Sequence, residues 1–271
     1  MNISYPNLKQ SWGLFGLSIV TQIIAGLTIT QMPGSIGILL GQILSSALII
    51  AMALRFKNAS VGYLFREKKK VSFLVFPILI VFNLAFLCVN DPIVELIPMP
   101  DIFVEMFEQM FEKDIYTFIT VALIAPVGEE LLFRRIMLPG LVANYGERKG
   151  ILWSAFFFAI FHLNPWQGIG AFFIGVFLAW IFLRTRNIWV CIFLHFFNNA
   201  LSYLGFLYFD DAMMSITDLT GYGYELAILV ALSLICMYFC IRFLRHLFTN
   251  QDNTTWSEDP DETEHPKPSE T

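Results

Sequence analysis

Apolar residues run along this chain in long blocks, and the breaks between the blocks define its elements. Positions 10–54 contain no Asp, Glu, Lys or Arg, with Pro33-Gly34 in the middle. A helix needs about 20 apolar residues to cross a bilayer, so this block predicts two spanning helices joined by a tight turn. Positions 71–90 predict a third. A fourth starts at IYTFITVALI, 115–124, and carries charges further on. The charge-free block 150–183 is broken at 162–168 by HLNPWQG, a turn-rich stretch. It predicts two helices, the first of them short. Positions 187–209 predict a seventh helix and 226–241 the core of an eighth. The fold class is all-α, a polytopic membrane protein of about eight transmembrane helices.

Composition supports the same reading. Of 271 residues 56% are hydrophobic and 14% charged, with a mean hydropathy of +0.64, whereas soluble domains carry about 25% charged residues. Cytoplasmic loops are enriched in Lys and Arg. With both termini inside, the basic stretches at 57–70, 147–149, 184–186 and 242–245 all face the cytoplasm, and of the 17 basic residues only Lys113 falls outside. A single helix over 150–183 would put 184–186 on the wrong side. The outer loops are then acidic, at 91–114 and around Asp210, Asp211, Asp218 and Glu225. Loop 91–114 either packs as an amphipathic surface segment or caps a cavity. REKKK at 66–70 marks the anionic inner leaflet, and nothing calls for a nucleic-acid partner. The first block has no small-residue cleavage site and leads straight into a second span, so no cleavable signal peptide is expected. Residues 1–248 form the transmembrane domain, and 249–271, polar and acidic, a disordered cytoplasmic tail. Cys88, Cys191, Cys236 and Cys240 lie in apolar spans and read as small buried hydrophobes.

Four charges interrupt the fourth span, in APVGEELLFRR at 125–135. Each ionisable group costs about 2.5–3.5 kcal/mol at a helix centre. Two Glu and one Arg left unpaired would cost on the order of 8–10 kcal/mol, comparable to the stability of a whole domain. Glu130 and Arg134 are four residues apart, share a helical face and can pair. Glu129 is rotated about 100° away and is left free. Arg135 is expected to snorkel to the inner interface, and Pro126 with Gly128 to bend the helix. The segment is either a charged helix end or a site.

Two further clusters bear on that choice. FAIFHLN at 158–164 places His162 four residues after Phe158, and LHFFNNA at 194–200 places His195 and Asn199 on one helical face. A lone intramembrane His is commonly a packing residue. Two His, an Asn and a free Glu on three helices can do more. A carboxylate and an imidazole can hold and deprotonate one water. A second His with an amide can donate to a developing oxyanion. The set describes amide hydrolysis by activated water without a covalent intermediate, or, alternatively, a Glu/His/His site for a divalent metal such as zinc. No His-Glu-x-x-His motif, no Gly-x-Ser-Gly nucleophile loop and no intramembrane pair of Asp is present.

These three motifs resemble those of the CAAX protease and bacteriocin-processing (Abi) family of intramembrane proteases, which includes the Ras-converting CAAX endopeptidase. EELLFR at 129–134 is similar to the family's EExxxR, Phe158 to His162 to its FxxxH, and His195 to Asn199 to its HxxxN, in that order, over a core of 116–205. The resemblance implies a peptide hydrolase; the family has often been called a metalloprotease, and the reading favoured here is water activated by glutamate with no cofactor, a divalent metal such as zinc being the alternative. Glu129 would be the general base, acting on water with His162. His195 and Asn199 would stabilise the oxyanion, and Glu130 and Arg134 would serve structure or substrate positioning. It implies a membrane-associated peptide or protein substrate in the lipid bilayer, and a multi-pass protein of a bacterial cytoplasmic membrane. Some members of the family act instead as non-catalytic scaffolds or bacteriocin-immunity proteins, so that alternative stays open.

Overall fold

The computed structural model describes residues 4–29, 34–66, 70–104, 112–209 and 216–249. The long helices are α1 (Leu8–Ile29), α2 (Gly34–Lys57), α4 (Val75–Glu95), α5 (Ile115–Tyr145), α6 (Glu147–Phe161), α7 (Pro165–Thr185), α8 (Ile188–Phe209) and α10 (Tyr224–Thr249). Two short helices, α3 (Gly62–Phe65) and α9 (Ile216–Thr220), lie in connections. No strand occurs among the described residues, and the fold is an all-α polytopic bundle. Of the predicted cytoplasmic tail 249–271, all but Thr249 lies outside the described residues, as do 105–111 of the predicted outer loop and 210–215.

Seven of these helices are long and apolar enough to cross a membrane. The predicted fifth span is the exception. Helix α6 has 15 residues, about 22 Å, against a hydrocarbon thickness of about 30 Å. It nevertheless joins the two ends of the bundle. At one end the α1 amide of Leu8 donates to Tyr145 Oη at 3.0 Å, Lys57 Nζ donates to the Tyr5 carbonyl at 3.3 Å, and Arg184 pairs with Glu147. At the other end, Trp166 Nε1 donates to the Ile97 carbonyl at 3.0 Å and Tyr203 Oη to the Asp114 carbonyl at 2.7 Å. Helix α6 begins beside Tyr145 and stops at the turn before Trp166.

Local chemistry sets the boundaries. Asp114 caps α5 by accepting the Thr117 amide at 2.8 Å, and its other oxygen accepts the Ser35 hydroxyl at the start of α2. Asn164 caps α7 through the Gln167 amide at 2.8 Å, with Pro165 at the first helical position, where a missing N–H costs nothing. Gly146, at φ +82°, turns α5 into α6.

Helices α5 and α7 lie in the middle and α10 at the margin: 44% and 50% of their most apolar stretches are buried, against 11% for α10. Phe133, Phe157, Phe158 and Phe182 are all but inaccessible, and Phe82 stacks on Phe177 with ring centroids 3.7 Å apart between α4 and α7. Close approach depends on small residues, as is usual between membrane helices. A Cβ on Gly128 in α5 would come within 2.5 Å of the Ser46 hydroxyl oxygen on α2.

Candidate active site

Helix α5 is not a uniform α-helix. Two π-helical segments, Ile119–Ile124 and Leu131–Met137, flank the single α-turn Ala125–Glu130 that carries both glutamates. Each ends with an amide reaching five residues back, Ala125 to the Thr120 carbonyl and Leu138 to the Phe133 carbonyl, and each is followed by a proline, Pro126 and Pro139. Insertions of this kind concentrate at functional sites. The carbonyls in and beside these segments recruit donors from elsewhere. Val121 O accepts Asn199 Nδ2 at 3.0 Å, Phe133 O accepts the Ser154 hydroxyl at 3.1 Å and Arg135 O accepts Tyr63 Oη at 3.0 Å.

Glu130 is fully buried and faces two partners. Its Oε2 lies 3.2 Å from Arg134 Nε, the expected i,i+4 pair, although the approach is not aligned as a hydrogen bond. Its Oε1 lies 2.9 Å from His195 Nδ1 on α8. Arg134, equally buried, lays its guanidinium 4.1 Å above the Phe158 ring and donates Nη2 to the Gly175 carbonyl at 3.4 Å. A Cβ on Gly175 would stand 3.1 Å from Phe158 Cδ1 and 3.3 Å from Arg134 Nη2, so the glycine makes room for the stack.

Phe158 is the hub of the arrangement. The rings of His162 and His195 meet it edge-on, with centroids 5.2 and 5.4 Å away, a favourable aromatic geometry. His162 Nδ1 lies 2.9 Å from the Phe158 carbonyl. A carbonyl only accepts, so Nδ1 carries the proton and Nε2 of the neutral ring keeps its lone pair. By the same logic Nδ1 of His195 donates to Glu130. His195 Nε2 then points toward Glu129, whose Oε2 is 3.9 Å away, a separation one bridging water can span. That Glu129 oxygen is buried without a hydrogen-bond partner among the described residues.

The structure thus gathers Glu129, Glu130, Arg134, Phe158 and His195 into one contact set, with His162 joined through Phe158. Asn199, expected beside His195, is tied to Val121 O, which leaves one amide N–H uncommitted to it. Arg135, expected to snorkel to the inner interface, is 2% exposed, with Nε donating to the Tyr63 carbonyl at 2.6 Å and its guanidinium 4.3 Å from the Tyr63 ring. Helix α3, in the basic segment 57–70, supplies that carbonyl and ring, so the charge is met by protein rather than left in solvent. Sequence reading also missed Tyr63, Ser154, Gly175 and Asn198. Pro126 with Gly128 signalled a bend, but the two π segments, Ile119–Ile124 and Leu131–Met137, had no signal of their own beyond the proline that follows each. Among the described residues no three of His, Cys, Asp and Glu stand close enough to hold a metal ion.

No curated protein and no solved structure matches this chain. The family model for type II CAAX prenyl endopeptidase Rce1-like proteins matches residues 111–201, a range that holds every candidate site residue from Glu129 to Asn199. Over that segment the chain shows the relationship that its three motifs suggested, to the Rce1-like CAAX prenyl endopeptidase family.

Proposed function

We propose that this protein is an intramembrane endopeptidase of the CAAX type that hydrolyses a peptide bond with an activated water and no metal. The observation that carries the reading is the position of His195, clamped at Nδ1 by buried Glu130 and presenting Nε2 to Glu129. Glu129 has a buried oxygen without a hydrogen-bond partner among the described residues, whereas Glu130 is engaged by both Arg134 and His195. It takes a proton from a water that the lone pair on His162 Nε2 helps to orient, and the resulting hydroxide attacks the scissile carbonyl. His195, protonated between its two carboxylates, and the remaining N–H of Asn199 donate to the oxyanion. The proton held by Glu129 then passes to the departing amine. A protonated His195 also balances the charge, since Glu129 and Glu130 are then matched by Arg134 and His195, as a buried cluster requires. The substrate is a membrane-associated peptide or protein, prenylated near its carboxyl terminus where the cell makes such substrates. The site opens toward the cytoplasmic side of a bacterial inner membrane.

The test is cleavage of a fluorogenic reporter peptide, with and without a farnesyl group, by protein in proteoliposomes. Glu129→Gln should lower turnover by roughly 10²–10⁴-fold, the usual worth of a positioned general base, with the melting midpoint unchanged. Undiminished cleavage would rule out Glu129 as the base. In the same assay a chelator should leave the rate intact, and zinc-dependent recovery after chelation would overturn the metal-free route.

A further inference from the structure

The irregular helix that carries the glutamates is held by a contact from the last residue of the third motif, Asn199, which a residue outside the motifs, Asn198, grips in turn. In the five-residue register set by the Ala125 amide on Thr120 O, the next acceptor is Val121 O and the next donor would come from residue 126. That residue is Pro126, which has no N–H. The carbonyl is supplied across the helix interface instead, by Asn199 Nδ2 on α8 at 3.0 Å. The amide of Asn199 is gripped from its other side, because Oδ1 accepts Asn198 Nδ2 at 3.2 Å. Asn198 Oδ1 is itself buried with no partner among the described residues. The neighbouring backbone explains the demand: a carbonyl in a half-buried helix interface left without a donor costs up to about as much as a lost hydrogen bond.

We propose that Asn198 is a positioning residue, which fixes the amide of Asn199 so that Asn199 replaces the peptide donor Pro126 lacks and thereby sets the phase of the Glu129 turn against α8. With Asn199 Oδ1 held by Asn198, one Asn199 N–H is directed at Val121 O and the direction of the second is fixed with it. Val121 lies two turns before Glu129, and Asn199 one turn after His195. The latch therefore spans the two helices whose side chains meet at the 3.9 Å gap between Glu129 and His195. This role rests on the proposed hydrolysis, but the latch itself can be tested without it.

The first arm measures thermal unfolding in detergent for Asn199→Ala, Pro126→Ala and the double variant. Asn199→Ala should lower the midpoint by about 2–5 °C, as the loss of one interhelical hydrogen bond implies for a chain of this size. In the Pro126→Ala background, where residue 126 regains its N–H, that loss should largely vanish. Equal losses in both backgrounds overturn the latch, whether or not the parent protein cleaves peptide. The second arm measures kcat and KM for Asn198→Leu, Asn199→Ala and their combination. Asn198→Leu keeps the branched heavy-atom shape and removes the donor. It should lower kcat by roughly 10- to 100-fold, as a small misplacement of reacting groups does, with KM unchanged. The double variant should be no slower than Asn199→Ala alone, because Asn198 acts through Asn199. A midpoint shift for Asn198→Leu with kcat intact, or defects that multiply, would overturn the positioning role. Loss of activity in Glu129→Gln bears on the hydrolysis alone.

Discussion

Glu130 is a fully buried carboxylate between an arginine and a histidine, and the cost of removing either neighbour depends on what is left behind. Taking away one member of a buried pair leaves an uncompensated charge, worth about 3–5 kcal/mol. Arg134→Met should therefore destabilise the protein by about that amount, read as unfolding in a mild detergent series. Glu130→Gln combined with Arg134→Met should recover much of the loss. Arg134→Lys should behave more like Met than like Arg, because an ammonium cannot lie flat on Phe158 and bond the Gly175 carbonyl as a guanidinium does. If Arg134→Lys retains full stability, the stack contributes nothing. At this scale the sequence was legible where partners are local. The i,i+4 spacing of Glu130 and Arg134 announced their pair. The bond from Arg134 to Gly175 spans 41 positions, and that from Arg135 to Tyr63 spans 72. No local pattern encodes such contacts, so the sequence does not reveal that Tyr63 receives Arg135.

Helix α5 was legible as a span and not as a shape. Charge-free residues marked its start, but the helix runs on through Pro139-Gly140 to Tyr145, and the rotation of about 100° per residue used to separate Glu129 from Glu130 holds only for a regular α-helix. It applies to the short α-turn between the π segments and fails on either side. A wide helix recruits outside donors, and so Asn199, Ser154 and Tyr63 are drawn to its carbonyls. Packing against α2 constrains it as well. A methyl group on Gly128 would collide with Ser46, whose Cβ is 2.9 Å and Oγ 2.5 Å from the Cβ position. Gly128→Ala should destabilise by about 1–3 kcal/mol, the range for overpacking, and should lower activity because the displaced turn carries Glu129. Ser46→Gly in the same chain removes both clashing atoms and should restore most of the stability. Failure of that second change to rescue would mean that Gly128 serves the backbone itself and not the contact with α2.

For the whole molecule, the sorting of charges and the course of α6 answer one question together. Arg55 and Lys57 close α2, and Arg184 closes α7; these ends meet Tyr5 and Glu147 at one end of the bundle. Glu95 and Asp114 lie at the other, bonded to Thr217, Tyr222 and Ser35. Basic segments on the cytoplasmic side then give a chain with both termini inside, but only if α6 crosses. Its 15 residues fall short of a full span, and on length alone the protein would have seven crossings. The pair between Arg184 and Glu147 argues otherwise. It brings the end of α7 back to the start of α6, so the two helices either both traverse or both turn back. A single cysteine placed in a background lacking the four native ones, and labelled with an impermeant maleimide in oriented vesicles, separates these cases. Arg148→Cys should react only from the cytoplasmic face and Gln167→Cys, just past the turn, only from the opposite face. If both react from the same face, α6 and α7 form a re-entrant hairpin and the molecule has six crossings, with the charge sorting unchanged. If each reacts from the face opposite to that expected, the bundle is inverted and its site opens to the outside.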